Sequence, residues 1–86
     1  MTGIPESRDL FRRAGAALFG PEWIPPLAEA MDINIRTVQR WASGKMPIPF
    51  GIWPIILDLI GAHALEAGAV AAEIYKLQER NSNDAT

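Results

Sequence analysis

Apolar residues recur along this chain at helical rather than strand spacing. Leu10, Phe11, Ala14 and Leu18 share one stripe of a 3.6-residue repeat. Pro5 suits the start of a helix and Gly20-Pro21 its end, so the spacing predicts a first helix from about Glu6 to Phe19. Arg8, Arg12 and Arg13 fall mostly off that stripe. Ile24, Leu27 and Met31 predict a second helix, beginning at Trp23 or Ile24 and ending at Met31. Pro25 and Pro26 fit only in its first turn, where the missing N–H would have no partner anyway. Asn34 as N-cap and Gly44 just past the end bracket a third helix over Ile35–Ser43. Pro47 and Pro49 hold the next segment as an extended loop. A fourth helical segment starts near Phe50 or Gly51 and runs to about Glu79. No useful run alternates with period two. The pattern therefore predicts an all-α fold of four to five helices with a long apolar C-terminal helical segment. Residues 1–50 are expected to form a helical core. Residues 51–80 complete the core and dimerise, and 81–86 form a polar, frayed tail.

Only Asp32-Ile33-Asn34 separates the second helix from the third. Two helices joined so tightly cross steeply, which requires apolar inner faces and a small residue where they approach most closely. Leu27, Met31, Ile33, Val38 and Trp41 supply the first, and Ala28 the second. The stretch Leu27-Ala28, Ile33, Arg36-Thr37-Val38-Gln39-Arg40-Trp41 and Gly44 resembles the Cro/repressor-type (XRE-like) helix-turn-helix family. The resemblance covers about Ile24 to Gly44, and the helix before it fits the family's first helix. Two positions depart from the family pattern: Asp32 stands where Gly is common in the turn, and Pro25-Pro26 where a polar residue is common. Asp can adopt the left-handed backbone such a turn wants, at some cost. The phosphate contact that the family makes with that polar side chain is therefore not carried over to Pro25-Pro26.

On a helical wheel with Val38 at the origin, Trp41 and Ala42 fall on the same side. Arg36 and Arg40 fall roughly 160° to either side of Val38 at 100° per residue. Gln39, Ser43 and Thr37 flank the two arginines, and no acid shares this face. Arg pairs bidentately with guanine, Gln with adenine, and Ser or Thr with bases or phosphates. The alternative is an ordinary solvated helix face. The resemblance implies base reading by Ile35, Arg36, Gln39 and Arg40, with this helix in the major groove. Ile35 could touch a thymine methyl or simply complete the core. Asn34, Thr37, Ser43 and Lys45 are the candidate phosphate contacts.

Composition bounds the remaining classes. The 86 residues suffice for one domain and carry a formal net charge of −2, which argues weakly against nucleic acid. Position answers that objection. Residues 1–45 carry +1 and residues 46–86 carry −3, while Ile33 to Pro49 carries +3 without an acid. Affinity for DNA follows the local face rather than the total. The chain has no Cys and one His, so no disulfide framework, thiolate metal site or imidazole cluster is expected. Neither a cofactor nor a small-molecule substrate is expected, and no nucleophile–base set supports an enzyme. The first residues lack the basic-then-apolar order of a signal peptide. Pro54, Asp58, Gly61, His63, Glu66 and Gly68 interrupt the most apolar stretch, so no membrane association is expected and a cytoplasmic protein is the default.

Trp53, Ile56, Ile60, His63, Ala67, Val70, Ile74 and Leu77 follow a 3-4-3-4 heptad spacing. An unbroken helix of ~29 residues would reach roughly 43 Å, beyond what a three-helix core covers. Ile60, His63, Ala67, Val70, Ile74 and Leu77 are the candidate dimer interface, with a second copy as the simplest cover. The alternative is a break at Gly61 or Gly68 that folds the segment back. His63 reads as a packed or interfacial residue, and protonation there would weaken such a seam. Trp23, Trp41 and Trp53 read as core.

Together these features predict a sequence-specific transcriptional regulator, a repressor that binds a palindromic operator on double-stranded DNA as a homodimer. Half-sites would lie about one turn (~34 Å) apart. Small chains with this motif resemble prokaryotic, phage or mobile-element regulators of the nucleoid, including those of anti-CRISPR operons. The competing reading is an antitoxin-like interaction module that docks a protein partner through the apolar C-terminal helix.

Overall fold

The computed structural model describes residues 4–84, with side chains from 7 to 81. Four helices follow one another: α1 (Ile4–Phe19), α2 (Ile24–Met31), α3 (Ile35–Ser43) and α4 (Ile52–Asp84). There is no strand among the described residues. The fold is all-α, with a long C-terminal helix as the pattern predicts.

Local chemistry accounts for the boundaries. Gly20 leaves α1 at φ 82°, a conformation open to a residue without Cβ. Pro25 and Pro26 occupy the first positions of α2, where no N–H is missed. Asp32 ends α2 in the left-handed region, at φ 55° and ψ 48°, so Asp takes the conformation expected of the turn. The Ile33 N–H donates to the Ala28 carbonyl at 2.9 Å, which closes the turn onto the small, buried Ala28. Asn34 caps α3, its Oδ1 accepting from the Arg36 N–H at 2.8 Å.

The core gathers around Phe11, which is fully buried. Trp23, Trp41 and Trp53 meet its ring edge-to-face, with centroids 5.5, 6.0 and 6.5 Å away. One residue of α1 thus touches an aromatic from the α2 approach, from α3 and from α4. Gly15 lies one turn along α1, and a Cβ there would overlap the Trp23 indole. Leu27, Val38, Ala42, Ile52 and Ile56 complete the cluster. Trp23 and Trp41 are buried as expected, and Trp53 is half-buried. The Trp41 Nε1 is buried without a hydrogen-bond partner.

Two expectations change, and one open alternative is resolved. Leu10, placed on the buried stripe of α1, is 50% exposed. α4 covers only part of that stripe and leaves Leu10 on the wall of a groove. The C-terminal segment does not break at Gly61 or Gly68 but is one helix of 33 residues. Each glycine costs a helix about 1 kcal/mol, and the surrounding Ala and Leu residues favour the helix enough to carry it through. The polar tail is helical as far as Asp84, since α4 continues past Glu79. Ala85 and Thr86 lie outside the described residues.

Unbroken, α4 gives the molecule extents of 61 × 25 × 20 Å. From Gly61 to Asn81 every residue is exposed. By length and composition Ile52–Asn81 is apolar enough to cross a membrane, because its polar residues are spread too thinly to interrupt it.

Candidate nucleic-acid interface

The core fixes one side of α3 and frees the other. Val38, Trp41 and Ala42 are buried. Arg36, Gln39, Arg40, Ser43 and Lys45 are exposed and together line one open hollow of about 410 Å³. Its rim carries three cations, an amide and a hydroxyl, and no acid. Five of the eight expected contact residues therefore share one surface.

The other three stand beside it. Ile35 is 40% exposed, so its side chain remains reachable rather than completing the core. Thr37 is half-buried. Asn34 spends its Oδ1 on the helix cap, which leaves its NH₂ as the free donor. Ser43 is also engaged locally. Its hydroxyl donates to the Arg40 carbonyl at 3.2 Å and accepts from the Lys45 N–H at 3.4 Å. It shapes the end of α3, and any phosphate contact competes with that bond.

Two residues escape pattern reading. Arg12 Nε donates to the Ala42 carbonyl at 2.7 Å, and Arg8 Nη1 to the Ser43 carbonyl at 3.2 Å. α1 thus reaches across with two guanidinium groups and satisfies carbonyls that the end of a helix leaves unpaired. Their charge also complements the negative end of the α3 dipole. Gly44 sits beneath Arg8 at φ 87°, and a Cβ there would overlap the guanidinium. The i, i+4 spacing of Arg8 and Arg12 marks them as one face, but nothing in the sequence says what that face meets.

Comparison with known proteins adds one finding. The chain is similar in part to a transcriptional repressor. Over 33 residues it is 46% identical to the transcriptional repressor protein KorC of Escherichia coli. That stretch is 38% of this chain and 39% of KorC, so the match spans about two-fifths of the length of that curated relative. No family model matches the chain, and no solved structure matches it.

No group of His, Cys, Asp or Glu among the described residues could hold a metal ion. Asp58, Glu66, Glu73 and Glu79 of α4 lie outside the hollow. The lining of the hollow thus carries positive charge only.

Proposed function

We propose that this chain is a sequence-specific DNA-binding transcriptional regulator that acts as a repressor without enzymatic activity. One observation carries the reading: α3, the second helix of a helix–turn–helix connection, presents Arg36, Gln39, Arg40, Ser43 and Lys45 on one acid-free surface. The partial similarity to a transcriptional repressor supports it.

In this reading α3 lies in the major groove. Arg36, Gln39 and Arg40 read base edges, Ile35 contacts a thymine methyl, and Asn34, Thr37, Ser43 and Lys45 face phosphates. A face of charge +3 binds weakly by itself, so the functional unit is a homodimer on a palindromic operator. Its half-sites lie one turn or a multiple of it apart. Ile60, His63, Ala67, Val70, Ile74 and Leu77 form the dimer seam along α4. Repression follows from occupying a promoter, which places the protein on the nucleoid.

Selection of bound duplexes from a random pool tests the proposal. A recovered palindrome is the expected result. Recovery of no preferred sequence by a folded, dimeric protein refutes it.

A further inference from the structure

Two apolar surfaces stand exposed among the described residues. One is a groove between α1 and the start of α4, lined by Leu10, Ala14, Trp53, Ile56, Leu57 and Ile60. Leu10 and Leu57 form its walls, 50% and 69% exposed, and the buried Ile56 its floor. The other is the distal seam of α4, where Val70, Ile74 and Leu77 line a depression beside Glu73 and Arg80. Those three apolar residues are 45%, 51% and 52% exposed.

We propose that two copies pair antiparallel through α4, so that the distal seam of each helix fills the α1–α4 groove of the other. The inference rests on the homodimer of the preceding reading and specifies how it is built. In the register that leaves no seam position unmatched, Trp53 faces the partner's Leu77 and Ile56 the partner's Ile74. Ile60 then faces the partner's Val70, and His63 the partner's Ala67. Bulky residues meet at both ends, and the small Ala67 sits against His63 near the dyad.

Area supports a partner of this size. The chain exposes 6325 Å², whereas a compact monomer of its mass exposes about 5000 Å². The excess, about 1300 Å², exceeds the ~800 Å² that each partner buries in a standard stable interface.

Sterics decide the direction. A parallel pair would set Trp53 against Trp53 and Ala67 against Ala67, wide at one end and narrow in the middle. It would also bring two α1 helices to the same end of the seam, each walling a groove that the other's α4 must enter. An antiparallel pair offers each groove a bare helix end instead. Charge does not override this choice. A register shifted to set Glu66 opposite the partner's Arg80 would gain two exposed ion pairs, which are worth little. It would leave the walls at Leu10 and Leu57 uncovered. The proposed register sets Glu66 beside the partner's Glu66 at the solvent-exposed rim, where salt screens the repulsion.

The chain has no cysteine, so single thiols report the pairing directly. Ile60→Cys and Val70→Cys are each oxidised alone and after co-refolding as a mixture. The expected result is a disulfide-linked dimer in the mixture and little in either variant alone. Linkage of each variant to itself indicates a parallel pair and overturns the proposal while leaving a dimeric regulator intact. A dimeric mass with no linkage in any sample overturns the register. A monomeric mass, or recovery of the chain with phosphatidylcholine–phosphatidylglycerol vesicles instead of as a soluble dimer, overturns the pairing altogether. Leu57→Glu, on an exposed wall, is expected to abolish the dimer at unchanged helix content; a dimer that survives it refutes the groove. Failure to select an operator bears on the regulator reading and not on these outcomes.

Discussion

Replacing Phe11 with Ala tests whether one side chain holds α3 in place. Phe11 is fully buried and meets Trp23, Trp41 and Trp53 at centroid distances of 5.5 to 6.5 Å. Removal of a buried Phe costs ~3–5 kcal/mol in lost transfer energy and cavity formation. Edge-to-face aromatic pairs contribute about 0.5–1.5 kcal/mol each. Three pairs are lost together here, so the upper part of that range applies, about 4–5 kcal/mol. A domain of this size has roughly 4–13 kcal/mol of stability in total, and the variant is expected to be at or near the point of unfolding. Urea titration followed by tryptophan fluorescence measures the loss, with protomer concentration held fixed because association contributes to apparent stability. Phe50→Ala is the control. Phe50 is 87% exposed, and its loss is expected to change stability by no more than about 0.5 kcal/mol. A Phe11→Ala variant within ~1 kcal/mol of wild type would refute the account of the core.

Other expectations concern the interface and its supports. Arg36→Ala and Arg40→Ala are each expected to weaken operator binding by ~1–3 kcal/mol and to relax sequence preference; wild-type affinity in the folded variants sinks the base-reading assignment. Lys45→Ala should weaken binding about equally on all sequences and reduce the slope of log affinity against log salt by about 1, which a binding series in salt measures. Gly44→Ala forces a side chain into φ 87° against Arg8 and should cost ~1–2 kcal/mol from backbone strain; a denaturation midpoint equal to wild type would show that the turn relaxes freely. Arg12→Met removes the bond to the Ala42 carbonyl and should cost about 1 kcal/mol, read by the same denaturation assay.

The central helix–turn–helix was legible because its signals are local. Asn34 and Gly44 act through their own backbone neighbours, and both cap α3 as their positions predict. Pro25 and Pro26 admit one location in a helix, and they occupy it. The cationic face of α3 followed from angular spacing alone, once Val38, Trp41 and Ala42 marked its buried side. Contacts between distant segments were not legible in this way. The stripe on α1 put Leu10 in the core, whereas the path of α4 leaves it on a groove wall. Arg8 and Arg12 showed no purpose until α1 was seen to cross the end of α3.

The sequence alone determined the all-α class, the helix boundaries within a few residues and the sign of charge on each segment. Those properties depend on propensity, capping and period, which act over about one turn of chain. Only the tertiary structure decided that Phe11 joins three tryptophans from three separate segments, that two arginines of α1 close the end of α3, and that α4 runs unbroken beyond its own core. Each depends on which surfaces come together after residues tens of positions apart have met, and no local period encodes that encounter.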